Sequence, residues 1–300
     1  MSATKKPERG APLPPAFEAR IAGAMGHLRP AEQRMARFFV DQKSTVLLNS
    51  AAEIAEKAGT SDATVVRTAR SLGFDGLAGL REAILSDITG PAPADRLART
   101  LQDVSAASES ALTHVLKEHY ASVNSMASPE FGAAFERTVD TLFTARRRHV
   151  FGIGPSGCIA EYAAMQFNRI GLRSSSLSSS GIGLADKLQE MEAGDAVLML
   201  AYAPIYREVS VALDRADELG VPTILISDSL GTLDGRIAEL LPVARGRADH
   251  LAMHGATLVL VEAMIVALAS RDKSSAVDSL RTFGALRGAL DKSWLKRRVR

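Results

Sequence analysis

Apolar positions recur at helical spacing through residues 17–87, whereas after residue 147 they gather into short continuous runs separated by helical stretches. In the first region Ala31, Met35, Phe38 and Phe39 share one face of a helix that Pro30 can open, and Leu77, Leu80 and Ile84 continue such a face. Gly90-Pro91-Ala92-Pro93 breaks the pattern and predicts a linker. Residues 95–147 read as helical again, punctuated by Pro129. Five runs, 149–153, 172–177, 196–200, 222–226 and 240–243, then predict strands. Continuous hydrophobicity with helices between the strands predicts a parallel sheet covered on both faces. Residues 251–269 predict a strongly apolar helix, which His254, Gly255 and Glu262 mark as a core or dimer helix and not a membrane span.

Between residues 50 and 73 the pattern sharpens into two short helices joined by a glycine turn. Ser50 and Glu53 form an S-x-x-E capping box, Ile54, Ala55 and Ala58 supply a small apolar stripe, and Gly59 suits a left-handed exit. Ser61 caps the second helix, Asp62 complements its dipole and Gly73 closes it. At 100° per residue Val65, Val66, Ala69 and Leu72 face the core. The opposite side carries Arg67, flanked by Ala63, Thr64, Arg70 and Ser71. Two readings fit: a helix-turn-helix whose second helix enters the major groove, with Ser61, Ala63, Thr64, Arg67, Arg70 and Ser71 at the DNA, or a helical hairpin with a solvated face.

Composition bounds the choice. The 300 residues are 46% hydrophobic and 23% charged, enough for two soluble globular domains, and the formal charge of +2 leaves nucleic-acid affinity to local placement of Lys and Arg. The single cysteine, Cys158, excludes an intrachain disulfide and reads as small helix filler. Residues 1–16 are expected to be disordered, a basic tail spans 291–300, and the absence of an apolar leader points to the cytoplasm.

Gly152-Ile153-Gly154-Pro155-Ser156-Gly157 follows an apolar run and opens a helix, the arrangement that presents backbone N–H groups and a helix dipole to an anion. A dinucleotide site would add an acidic residue after the next strand; Ser178-Ser179-Ser180-Gly181 stands there instead, favouring a phosphorylated or polyhydroxy molecule. His250 and His254 lack supporting metal-ligand spacing, so no metal or cofactor is expected.

Residues 52–67 (AEIAEKAGTSDATVVR) and 72–76 (LGFDG) resemble the helix-turn-helix of the RpiR family of bacterial transcription regulators, and the 152–157 loop with the pattern after it resembles the sugar isomerase (SIS) domain of that family. The resemblance spans about residues 17–290. It implies an all-α helix-turn-helix domain (17–90), a linker and connecting helix (91–128), and an α/β SIS domain (129–290) with a parallel five-stranded sheet flanked by helices. It further implies a homodimer or homotetramer on near-palindromic operator DNA, with a small anionic sugar-derived effector and no membrane partner. The effector residues would be Gly154, Pro155, Ser156, Gly157, Ser178, Ser179, Ser180, Tyr202 and Arg207. One departure stands out: a hydroxyl-rich phosphate loop common in SIS domains is replaced here by Ala201-Tyr202-Ala203-Pro204-Ile205-Tyr206-Arg207. The competing expectation is a sugar-phosphate isomerase with an accessory helical domain, drawing its acid and base from Glu208, His250 and His254.

Overall fold

The computed structural model describes residues 17–89, 92–202, 205–228, 235–247 and 249–298. The expected disordered N-terminus, Gly90-Pro91 of the linker, Ala203-Pro204 of the altered loop and the last two residues of the basic tail lie outside them. The chain divides into two compact units, Met1–Ala92 and Pro93–Arg300.

The first unit is all helical: α1 (Phe17–Ala24), a 3-10 turn (Met25–His27), α2 (Pro30–Asp41), α3 (Lys43–Leu48), α4 (Ala51–Lys57), α5 (Asp62–Ser71) and α6 (Gly76–Thr89). Local chemistry sets the boundaries of the central pair. Ser50 Oγ accepts from Glu53 N–H at 3.3 Å while Glu53 Oε2 accepts from Ser50 N–H at 2.7 Å, so the capping box is closed in both directions. Gly59 at φ +64° ends α4, and Gly73 at φ +80° ends α5. At the second stop Phe74 N–H reaches Ala69 O (3.0 Å) and Gly73 N–H reaches Arg70 O (2.8 Å), the paired bonds of a Schellman motif. Met35, Phe39, Ile54, Val65, Leu80 and Ile84 meet in one core. Val66 is only half-buried and Ala31 is exposed; the apolar stripe of α2 narrows to Met35, Ala36 and Phe39.

The second unit opens with α7 (Pro93–Ala106), α8 (Ala111–Asn124), a 3-10 turn (Ser125–Ala127) and α9 (Pro129–Thr144). Then follow β1 (Arg148–Gly152), α10 (Pro155–Arg169), β2 (Ser174–Leu177), α11 (Ile182–Leu188), β3 (Ala196–Leu200), α12 (Arg207–Glu218), β4 (Thr223–Ser227), β5 (Glu239–Pro242), α13 (Gly255–Arg271) and α14 (Lys273–Arg298). The five strands form one parallel sheet in the order β2-β1-β3-β4-β5. Strand residues alternate between two cores: Val150, Leu198 and Ile226 pack with α9, α10 and α13, while Phe151, Met199 and Leu225 pack with α11 and α12. The chain leaves β1 toward β2 on one side and resumes at β3 on the other, which opens a crevice above the C-terminal ends of β1 and β3.

The long apolar helix starts later than expected. Residues 251–254 are not helical, and α13 runs from Gly255 to Arg271 with Leu260, Val261 and Met264 buried but Val259 and Val266 exposed. Among the described residues no helix is long and apolar enough to cross a membrane.

Candidate functional site

In the first unit α5 presents a polar face whose composition follows from its caps. Ser61 Oγ accepts from Thr64 N–H at 3.3 Å and meets Thr64 Oγ1 at 2.9 Å, and Arg67 donates to that same Oγ1 at 3.3 Å. Thr64 is therefore drawn inward, only 8% exposed, and acts as a hinge between cap and arginine where a groove-facing side chain was expected. Ser71 also departs from expectation: its hydroxyl donates to Glu32 Oε1 on α2 at 3.0 Å. Glu32 accepts from Arg29 N–H as well, and this bond, with Ser71 and the nearby charges of Arg29 and Arg67, holds its carboxyl below the usual carboxylate range against the opposing effect of burial. Ser61, Ala63, Arg67 and Arg70 remain exposed. Residues 17–89 carry nine basic and nine acidic side chains, so the face gains its positive character from Arg67 and Arg70 alone and not from the charge of the unit.

In the second unit each glycine of the 152–157 loop has its own reason. A Cβ on Gly152 would overlap the backbone carbonyl of Ser156; Gly154 caps α10 at φ +62°, ψ −130°; and a Cβ on Gly157 would lie 3.1 Å from Gly152 O and 3.4 Å from Ser178 Cβ. The loop thus wraps tightly against both β1 and the loop after β2. Gly181 caps α11 in nearly the same conformation, φ +58°, ψ −136°. Ser178 Oγ joins the two by donating to Glu161 Oε1 on α10 at 2.8 Å. Pro155 brings no N–H, Ser156 is buried in the first turn, and Ser179 and Ser180 are exposed above it.

Tyr202 belongs to the core and not to a ligand-covering wall. Its ring is 6% exposed and its hydroxyl meets Thr257 Oγ1 of α13 at 2.6 Å. Burial pushes its phenol up to about 12, against the Thr257 bond. Arg245 lies over the ring at 4.0 Å and donates to Asp228 Oδ2 at 3.0 Å, while His254 stands edge-on to the ring at 6.0 Å. Burial, helped by Arg245, pushes the His254 imidazole below its usual range and keeps it neutral. Arg207 begins α12, exposed, next to the exposed Tyr206.

Sequence reasoning missed Asp228 and Arg245, which no local pattern brings together. The Tyr202 position had a signal: Ala196, Leu198, Leu200 and Tyr202 alternate onto one face of β3 and its extension.

His250 does not open a helix. It is 5% exposed, with Nδ1 at 2.8 Å from Asp249 and Nε2 at 3.0 Å from Asp103 of α7. Cys158 is exposed on α10 and fills nothing. Among the described residues no group of three His, Cys, Asp or Glu side chains could hold a metal.

Comparison with known proteins agrees with this division. The model of the rpiR-family helix-turn-helix domain matches residues 16–89, and that of the SIS domain matches residues 141–236. The bifunctional protein glk of Paraburkholderia xenovorans is 25% identical over 91% of this chain and 43% of its own length. The chain thus spans less than half of that relative. The HTH-type transcriptional regulator YfhH of Escherichia coli is 25% identical over 89% of this chain and 96% of its own. The Vibrio vulnificus NanR protein complexed with ManNAc-6P shares the fold at a TM-score of 0.54 and 21% identity, covering 91% of this chain and 98% of NanR. The sugar isomerase domain of an RpiR transcription factor from Sphaerobacter thermophilus gives 0.51 and 24%, covering 58% and 96%. With the rpiR-type helix-turn-helix domain ahead of a SIS domain on one polypeptide, the chain belongs to the RpiR family of transcriptional regulators.

Proposed function

We propose that the chain binds operator DNA through α5 and that a small anionic sugar metabolite, held above the C-terminal ends of β1 and β3, changes its affinity for that operator. The observation that carries this reading is the capped helix α5, with Arg67 and Arg70 exposed, on the same chain as a SIS-type glycine loop. Ser61, Ala63, Arg67 and Arg70 make the DNA contacts, while Thr64 and Ser71 set the position of the helix. The effector lies against Gly154, Ser156, Gly157 and the hydroxyls of residues 178–180, with Arg207 at the rim. The ligand named for the NanR structure, ManNAc-6P, supports a sugar phosphate as its class. The regulator is a homodimer or homotetramer assembled through its second unit, and it reads near-palindromic DNA.

We read the second unit as a sensor and not an isomerase. Of the three acid–base candidates, His250 is enclosed by Asp103 and Asp249, His254 packs edge-on to the buried Tyr202 ring, and Glu208 follows Arg207 in the first turn of α12.

Gel shifts against the DNA upstream of the chain's own gene test the proposal. Arg67→Ala should cost about 1–3 kcal/mol and relax specificity if the residue reads a base. Sugar phosphates screened by thermal shift should stabilise the wild type and lose that effect in Ser156→Ala. Operator affinity unchanged by Arg67→Ala together with Arg70→Ala rejects the assigned helix, and a ligand insensitive to Ser156 rejects the assigned crevice.

A further inference from the structure

A carboxylate stands at the edge of the effector crevice without a cation. Glu161 lies on α10, five residues beyond Ser156 and so about 7.5 Å further along the helix axis. Helical side chains lean toward the N-terminal end of their helix, so Glu161 reaches back toward the glycine loop. Ser178, immediately after β2, meets it there, its hydroxyl donating to Glu161 Oε1 at 2.8 Å. Gly157 lets the two elements approach, since a Cβ at that position would lie 3.4 Å from Ser178 Cβ. Glu161 is exposed and Ser178 half-buried. Among the described residues Ser178 is the hydrogen-bond partner of this carboxylate, and no Lys, Arg or His pairs with it.

Donors and acceptors in this corner are one-sided. An ionised carboxylate only accepts, and Ser178, having given its proton to Glu161, offers only lone pairs. A ligand phosphate also only accepts and is repelled by Glu161. It belongs instead at the start of α10, where the helix dipole and the buried Ser156 favour an anion. Facing Glu161 the ligand must bring a donor. A carboxylate without a cation selects a charged one, because a charge-assisted hydrogen bond is roughly twice as strong as a neutral one.

We propose that the effector is an amino sugar phosphate, its ammonium group on Glu161 and Ser178 and its phosphate on the 154–157 loop. This rests on the effector crevice of the proposed function and narrows its ligand class. The spacing of Ser156 and Glu161 along α10 is about that of a hexose, which suits a 6-phosphate at one end and an amine at C2 near the other. The ligand stays anionic overall, since a phosphate monoester carries about −1.5 to −2 at pH 7 against one ammonium charge. N-acetylation removes the ammonium charge, and a plain hexose offers a neutral hydroxyl in its place.

Isothermal titration calorimetry on the full chain provides the test, with glucosamine, mannosamine and galactosamine 6-phosphates, each beside its parent hexose 6-phosphate and its N-acetyl derivative. At least one amine should bind tenfold or more tighter than both of its uncharged-nitrogen and hydroxyl counterparts. Glu161→Gln keeps the shape of an exposed side chain and removes its charge, and should bring that amine within threefold of its parent. Ser156→Ala should weaken amine and parent by the same factor and keep their ratio. Circular dichroism checks the fold of both variants. Equal binding of amine and parent by the wild type overturns this inference alone and leaves the sugar-phosphate reading standing, and so does a preference that survives Glu161→Gln. No binding by any of these sugar phosphates overturns the inference and that reading together.

Discussion

Arginine and tyrosine carry much of the structure at the scale of single residues. Three arginines spend their guanidinium groups on carbonyls at helix ends: Arg20 on Leu72 and Gly73 after α5, Arg81 on Val46 and Asn49 at the end of α3, and Arg148 on Leu142 and Phe143 of α9, the last at 2.6 Å each. Each satisfies acceptors that a helix C-terminus leaves open and places positive charge at the negative end of the dipole. These side chains are therefore unavailable to DNA, and Arg67 and Arg70 stand out more clearly. Tyr202 gives a direct pH prediction. Its phenol titrates at about 12 in the folded chain because burial disfavours the phenolate, against an ordinary value of 10.0. A group whose folded pKa is raised contributes stability that is complete below the unfolded value and is lost as pH rises through the folded one. The second unit should therefore lose stability between about pH 10 and pH 12. The difference in phenolate absorbance between wild type and Tyr202→Phe should titrate with a midpoint near 12; a midpoint at the ordinary value would show the ring to be accessible to water. Tyr202→Phe also leaves Thr257 Oγ1 buried without its partner, a cost of about 1–3 kcal/mol that Thr257→Val should largely remove.

At the scale of elements, α7 is fastened to the segment that precedes α13. Arg99 pairs with Asp249 at 2.7 Å, Asp103 accepts from Arg247 and meets His250 Nε2 at 3.0 Å, and Thr100 Oγ1 accepts from Leu251 N–H at 3.0 Å. Asp103 is held below the usual carboxylate range: burial works against this, and the bonds from His250 and Arg247 outweigh it. Asp103→Asn should lower the melting temperature and speed amide exchange in α7 while leaving exchange in the β1–β3 core unchanged; equal loosening of both would mean that α7 is no separate element. These contacts also mark the limit of what was legible in the sequence. The turns at Gly59 and Gly73, the caps at Ser50 and Ser61, and all five strands could be read because their causes lie within a few residues. The start of α13 could not, since the segment before it is held by α7 across about 150 positions of chain. Thr64 was misplaced for a local reason of another kind. Helical angle put it at the edge of the polar face, and its hydroxyl bonds to Ser61 and Arg67 turned it inward. The glycine loop was legible as a loop, but the cluster of Asp228, Arg245, Tyr202 and His254 joins three strand ends and a helix start that only the fold brings together.

For the whole molecule, the separation of cores decides how stability and binding are linked. The core around Phe39, Ile54 and Leu80 draws only on the first unit, and the two cores flanking the sheet draw only on the second. Each unit should therefore unfold as its own cooperative transition. A ligand that binds only the folded form stabilises by RT ln(1 + [L]/Kd), about 2.7 kcal/mol at a hundredfold excess over Kd. For a unit of 150–250 residues each kcal/mol raises the midpoint by about 2–4 °C, so a saturating sugar phosphate should move the second-unit transition by roughly 5–11 °C. Operator DNA should move the transition of the first unit instead. Regulation adds a smaller cross term: the effector changes operator affinity only by its coupling free energy, typically about 1–3 kcal/mol, and the operator must change effector affinity by the same factor. Calorimetry of the full chain with each ligand and with both therefore measures the coupling, as the departure of the double shift from the sum of the single ones. Additive shifts would mean that the effector does not act on DNA binding. A single transition moved equally by either ligand would mean that the two units behave as one, and the sensor would then act through global stability and not through a separable domain.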